Sequence, residues 1–88
     1  MDFSKLKGKS YFINKFCDNK KAKITFLNHS LHFATSVFEG IRVYNKKPFL
    51  LGDHFKRLVN SSKIMSLDLK ISYKKFRYIS YKLIKLNN

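Results

Sequence analysis

Between His29 and Arg42 this 88-residue chain gathers two of its three histidines, its only glutamate, Glu39, one of three glycines, Gly40, and one of three arginines, Arg42. Elsewhere its cations are mostly lysine, so the concentration of acid, base and guanidinium marks an active-site segment rather than compositional drift. An arginine beside apolar residues can receive a carboxylate bidentately; Arg42 can equally pair with Glu39 of a neighbouring strand or chain, and residue types alone leave both open. Glu39 itself reads as a structural carboxylate. His29, His32 and His54 invite a metal reading, but none has a carboxylate or cysteine at ligand spacing. Histidines flanked by apolar residues are more often hydrogen-bonded within a fold, which assigns His29 and His32 to structure, and no metal is expected. Ser30 and Ser36 lack the flanking glycines of a nucleophile elbow, which sets covalent serine catalysis aside.

The run His29-Ser30-Leu31-His32-Phe33-Ala34-Thr35-Ser36-Val37-Phe38-Glu39-Gly40-Ile41-Arg42-Val43-Tyr44 resembles the N-terminal signature of the branched-chain amino acid aminotransferases. These are class IV enzymes that use pyridoxal 5′-phosphate (PLP). The likeness continues through Phe49-Leu50-Leu51, Asp53-His54-Phe55-Lys56-Arg57-Leu58 and Ser61-Ser62-Lys63-Ile64, where the family has a strand and then a helix. It covers the chain from about Tyr11 onward.

The resemblance implies site residues. Arg57 matches the arginine that anchors the PLP phosphate, a task suited to a bidentate donor that keeps its proton. Phe33 and Phe38 match positions that wall the substrate side-chain pocket, one of them reaching toward the neighbouring subunit of a dimer. Apolar walls fit a branched aliphatic substrate, because burial of its methyl groups contributes in proportion to area. Phe33 stands where most members have tyrosine, so that hydroxyl is absent here. Ala34 replaces the usual glycine and puts the turn there at a disadvantage. Gly40 suits a close approach of backbone to a neighbour. Arg42 is a candidate for the substrate carboxylate.

PLP chemistry also needs a Schiff-base lysine, whose amine then moves protons. In the family it lies in the larger C-terminal domain, and none of the sixteen lysines here matches its motif. The expectation is a truncated or split branched-chain aminotransferase, inactive alone, whose partners are a C-terminal aminotransferase fragment and a second subunit. The complete enzyme would exchange the amino group of leucine, isoleucine or valine with 2-oxoglutarate. Two alternatives stand beside it. One is a basic module binding nucleic acid or an acidic partner. The other is a related class IV enzyme, a D-amino acid aminotransferase or aminodeoxychorismate lyase, disfavoured because those relatives usually carry Asp-Gly where this chain has Thr35-Ser36.

Composition bounds these readings. A hydrophobic fraction of 44% with 16% aromatic residues is that of a globular chain, despite a net charge of +14. The charge invites nucleic acid through counterion release, but lysine outnumbers arginine 16 to 3 and is scattered along the length, so nucleic acid is not the expected partner. Cys17 has no internal partner and reads as a small apolar strand residue. No apolar run reaches bilayer length, and no signal-peptide core follows Met1-Asp2-Phe3-Ser4-Lys5-Leu6-Lys7; a cytoplasmic protein is expected.

The elements that must carry these residues follow from periodicity. After a polar lead-in over 1–9, a single small domain is expected over 10–88. Ser10–Cys17 suits a strand broken near Asn14-Lys15, Asp18–Lys21 a loop, Lys23–Leu27 a short strand, and residues 29–34 a turn or short helix. Ser36–Tyr44 reads as a strand with Phe38, Gly40 and Arg42 on one face and Val37, Glu39, Ile41 and Val43 on the other. A turn at Asn45–Pro48 leads to a strand at Phe49–Leu51. Asp53 suits a cap for a helix whose apolar stripe is Phe55, Leu58, Val59 and Ser62. Ser72 suits the cap of a second helix, with Phe76, Ile79, Leu83 and Leu86 at core spacing. The sum is an α+β unit, a small antiparallel sheet with two helices, as in the N-terminal domain of fold-type-IV PLP enzymes.

Overall fold

The computed structural model describes residues 5–87. Residues 1–4 of the expected lead-in and Asn88 lie outside that range. The elements run β1 (Lys9–Phe12), β2 (Lys15–Asp18), a 3₁₀ turn at Asn19–Lys21, α1 (His29–Phe33), β3 (Val43–Tyr44), β4 (Lys47–Pro48), α2 (Leu51–Ile64) and α3 (Tyr73–Leu86). The architecture is α+β, with the strands forming two separate antiparallel hairpins, β1–β2 and β3–β4, in place of the one sheet expected.

Both hairpins close through two-residue loops with positive φ at each position, as a type I′ turn requires: Ile13 and Asn14 at φ 50° and 63°, Asn45 and Lys46 at 49° and 62°. In the first, Phe12 faces Lys15 and Lys9 faces Asp18, which moves the turn one residue ahead of its expected place. Tyr11 and Phe16 stack edge to face across it at 5.0 Å. Cys17 is a half-buried free thiol on β2.

Helices α2 and α3 supply the core. Leu51, at 6% exposure, and Ile79, at 8%, are the buried apolar residues among those described. Phe55 of α2 packs its ring against Tyr73 and Phe76 of α3, at 5.4 and 5.1 Å. The expected stripe on α2 is realised: Phe55, Leu58 and Val59 are half-buried and Ser62 is buried, its hydroxyl donating to the Val59 carbonyl at 2.7 Å. Ser72 caps α3 by accepting from the Lys75 amide; of the residues expected at its core, Ile79 is buried and Phe76 and Leu83 half-buried, but Leu86, in the last turn, is exposed. Asn87, after the last turn of α3, accepts from the Lys9 amide at 2.7 Å and donates to the Lys9 carbonyl at 3.0 Å, tying the helix end to the edge of β1.

Further expectations are corrected. Lys23–Leu27 is not a strand. Ile24, Phe26 and Leu27 are all exposed, and the backbone turns on itself through the Thr25 hydroxyl and the Phe26 carbonyl, the local competition that short hydroxyl side chains offer. Of the expected strand Ser36–Tyr44, only Val43 and Tyr44 pair, because among the described residues no other strand lies beside the rest. The strand at Phe49–Leu51 gives way to β4 at Lys47–Pro48, and α2 begins at Leu51, earlier than Asp53 would cap it. Its cap is Leu50, in the left-handed region without a side-chain bond, and Asp53 lies within the first turn, where its charge suits the helix dipole.

Candidate functional site

Although residues 36–42 form no ladder, their side chains alternate. Val37, Glu39 and Ile41 are half-buried, whereas Ser36, Phe38, Gly40 and Arg42 are exposed. Period two therefore survives as a division of inward from outward, and it carries Glu39 toward α2.

There Glu39 meets two residues one turn apart on the helix. Arg57 donates from Nε to Oε2 at 2.8 Å and from Nη2 to Oε1 at 2.7 Å, while His54 Nδ1 lies 2.6 Å from Oε1. The spacing of three residues puts His54 and Arg57 on the same side of α2. The carboxylate side chain is 8% exposed, but the arginine remains 66% exposed. Hydrogen bonds from Arg57, then from His54, hold the Glu39 carboxyl down at about 2, and the same carboxylate raises the guanidinium further above its ordinary value.

The guanidinium carries five N–H donors in a planar fork. Glu39 occupies the edge formed by Nε and one Nη2 hydrogen, leaving the opposite edge, Nη1 with the second Nη2 hydrogen, on an exposed side chain. A charged, planar, forked donor held on one edge and open on the other is fitted to a tetrahedral dianion. By donor chemistry and exposure, Arg57 fits a phosphate group.

The other predicted residues lie elsewhere on the surface. Phe33, at the end of α1, is 69% exposed, and Phe38 is 88% exposed on the outward side of the segment whose inward side carries Glu39. Arg42 is exposed, and among the described residues its side chain makes no ion pair; the carboxylate with which it was a candidate to pair belongs to Arg57 and His54. Two surface concavities lie along α3. The first, of about 790 Å³, is lined by Lys46, Lys74, Arg77, Lys82 and Lys85 with Tyr78, Tyr81 and Ile84, and neither includes Arg57, Phe33, Phe38 or Arg42.

Local structure accounts for the remaining motif residues. His29 Nδ1 lies 2.6 Å from the Thr35 hydroxyl, His32 Nε2 lies 2.9 Å from the Phe26 carbonyl, and Asn28 caps α1 by accepting from the Ser30 amide. Ala34 ends α1 in the left-handed region at φ 53°, where the glycine of the resembled pattern would sit without steric cost. A Cβ on Gly40 would meet nothing within 4 Å, so no close approach there needs glycine. Sequence reasoning missed the partnership of Glu39 with His54 and Arg57. Its signal was available: a sole glutamate on the inward side of residues 37–41 and two complementary residues on one helical face.

Residues 36–88, more than half of the chain, match the amino-transferase class IV family, and the chain belongs to that family. Among similar proteins, a Methanocaldococcus jannaschii protein provisionally named branched-chain-amino-acid aminotransferase is 34% identical over 80 residues, 91% of this chain and 28% of that protein. A probable branched-chain-amino-acid aminotransferase of Rickettsia felis is 42% identical over 67 residues, 76% of this chain and 23% of its own length. A D-alanine aminotransferase of Staphylococcus haemolyticus is 32% identical over 78 residues, 88% of this chain and 28% of that enzyme. The chain thus spans about a quarter of the length of the relatives it matches. No solved structure matches it significantly. No described helix is long and apolar enough to cross a membrane.

Proposed function

We propose that this chain contributes the small-domain side of a class IV aminotransferase site, with Arg57 holding the phosphate of PLP. The observation that carries this reading is the Arg57 guanidinium, fixed on one edge by Glu39 and open on the other. PLP, when bound, supplies the electron sink for amino-group transfer. Phe33 and Phe38 contribute apolar wall to the substrate pocket, and Arg42 receives the substrate carboxylate. The substrates are leucine, isoleucine or valine with 2-oxoglutarate, in a cytoplasmic enzyme.

The covalent step belongs to a lysine beyond these residues. All sixteen lysines here are exposed, and a solvated amine is mostly protonated at neutral pH. The 88 residues alone are therefore inactive, and their partners are a lysine-bearing aminotransferase fragment and a second subunit. The exposed surface supports this. The chain exposes 7531 Å², against about 5,400 Å² for a compact protein of its mass. The fifteen residues from Ile24 to Phe38 contain no Lys, Arg, Asp or Glu and leave Ile24, Phe26, Leu27, Leu31, Phe33 and Phe38 exposed. An uncharged run that leaves so many large apolar side chains in water is suited to being covered by a partner.

The test mixes the chain with a C-terminal class IV fragment bearing the catalytic lysine. Transamination is assayed with leucine, isoleucine, valine and, separately, D-alanine, the substrate named in the Staphylococcus haemolyticus relative. Recovery with the branched-chain substrates is expected. Recovery with D-alanine alone reassigns the substrate, and no recovery from two folded pieces refutes the reading.

One observation favours a second reading, an anion-binding module. The concavity on α3 is lined by five cations and no carboxylate. That reading requires an affinity for single-stranded oligonucleotide or an acidic peptide that falls steeply with salt; absence of binding at low salt removes it.

A further inference from the structure

The motif that brings Arg57 its reading contains two residues with no task in that reading, Glu39 and His54. The fold joins them to the guanidinium from different elements: His54 and Arg57 from α2, Glu39 from the unpaired segment before β3. The sole glutamate of the chain is thereby held by three nitrogens of two side chains, Nε and Nη2 of Arg57 and Nδ1 of His54. Arg57 Nη2 and His54 Nδ1 themselves lie 3.4 Å apart.

An arginine side chain on a helix surface explores many rotamers, and an anion that binds it must freeze them. A carboxylate that already grips Nε and Nη2 fixes the plane of the guanidinium and removes that cost in advance. It also dictates which edge is left: Nη1 with the outer Nη2 hydrogen. We propose that Glu39 is a positioning residue for the anion site at Arg57, that His54 holds the Glu39 carboxylate in place, and that the ligand of the free edge is a phosphate group bound end-on. This rests on the reading of Arg57 as a phosphate anchor.

Two effects of Glu39 oppose each other, which gives the proposal a sign. Its negative charge repels a phosphate, whereas its grip orders the donor. Arg57 is 66% exposed, so water screens the repulsion, but nothing screens the loss of rotamer freedom. Ordering wins, and removing Glu39 weakens phosphate binding even though it makes the surroundings more positive.

The experiment uses the 88-residue chain and inorganic phosphate, because an aldehyde probe would react with the exposed lysines. The three arginine Nε–H signals are followed by nitrogen-15 NMR, with that of Arg57 assigned by its loss in Arg57→Lys. In the parent chain the Arg57 signal exchanges slowly with water and shifts on titration with phosphate. In Glu39→Gln, checked for helix content by circular dichroism, exchange is fast and phosphate affinity at that signal falls about tenfold. Glu39→Asp keeps the charge but shortens the reach; it also loses affinity, and it decides the matter if the glutamine variant does not fold. His54→Gln gives a smaller loss. Asp18→Asn removes a different ion-paired carboxylate, that of the Lys9 bridge, and leaves the Arg57 signal unchanged.

A parent Arg57 signal that ignores phosphate refutes the anchor reading itself. A parent signal that responds, with Glu39→Gln or Glu39→Asp binding equally or more tightly, leaves the anchor standing and overturns the positioning role.

Discussion

Helices α2 and α3 hold one another, while the segment from Ile24 to Arg42, which carries most of the motif, is held by little of its own. In the helical half, ring packing of Phe55 on Tyr73 and Phe76, the buried Leu51 and Ile79, and the Ser72 cap all serve one interface. In the segment, Ile24, Phe26, Leu27, Leu31, Phe33 and Phe38 are exposed, Val37 and Ile41 are only half-buried, and Glu39 is tied to α2. Most residues that specify the fold thus lie in a different stretch from most of the motif, and Arg57 and His54, on α2, are where the two meet. The second stretch is attached to the first through the ion pair that also positions the candidate anion site.

The contrast is broken most severely from the helical side. Ile79→Ala removes a side chain that is 8% exposed and is expected to cost about 2–4 kcal/mol, most of the stability available to a domain this small. Urea unfolding followed by circular dichroism at 222 nm is the measurement. A loss below about 1 kcal/mol means that the α2–α3 interface is not the core.

Acid tests the tether. The folded-state carboxyl of Glu39 sits at about 2, below its ordinary 4.5, so folding favours its ionised form. Its contribution is complete above the ordinary value and is lost as pH falls from about 4.5 toward 2. The urea midpoint is expected to fall through that window, and to fall less steeply in Glu39→Gln. Asp18, held below its ordinary value by the hydrogen bond and charge of Lys9, adds a slope that persists in the variant. Identical slopes in parent and variant mean that the ion pair contributes nothing to the fold.

How much of this was legible in the sequence follows the same division. The stripe of Phe55, Leu58, Val59 and Ser62 and the capped repeat of Phe76, Ile79 and Leu83 were readable because helical period and capping are local properties. The alternation of residues 36–42 was readable too, and burial follows it. The pairing was not, because a strand is completed by a neighbour and alternation does not say whether one exists. At Lys23–Leu27 the same alternation is overridden by local bonds to the Thr25 hydroxyl and the Phe26 carbonyl. Asp53 was misplaced as a cap because Leu50 takes a left-handed conformation that its residue type does not announce. At the site, the family resemblance points to Arg57, but its partner stands eighteen positions away, and only the fold brings the two together.

A smaller effect sharpens the picture of the loosely held segment. Ala34 adopts φ 53° at the end of α1, a conformation that disfavours any residue with a Cβ by roughly 1–2 kcal/mol. Ala34→Gly relieves this but frees the unfolded chain, so a net gain of about 0.5–1 kcal/mol is expected. The urea midpoint reads it, and a loss of stability shows that the turn at Ala34 is not left-handed in solution.

The smallest effect on the isolated chain is expected at its most exposed large apolar side chain. Phe38 is 88% exposed, so Phe38→Ala is expected to change the stability of the 88 residues by less than about 0.5 kcal/mol. If the outward face of the segment is covered by the remainder of the enzyme, the same truncation acts on assembly instead. Burial of a phenylalanine contributes about 1.5–3 kcal/mol, which raises the concentration of C-terminal fragment needed for half-maximal transamination at least about tenfold. The two measurements separate the possibilities. A destabilised chain places Phe38 in a core of its own, and an unchanged concentration leaves it in water in the assembly. Only the pairing of a silent chain with a weakened complex supports a side chain placed for a partner.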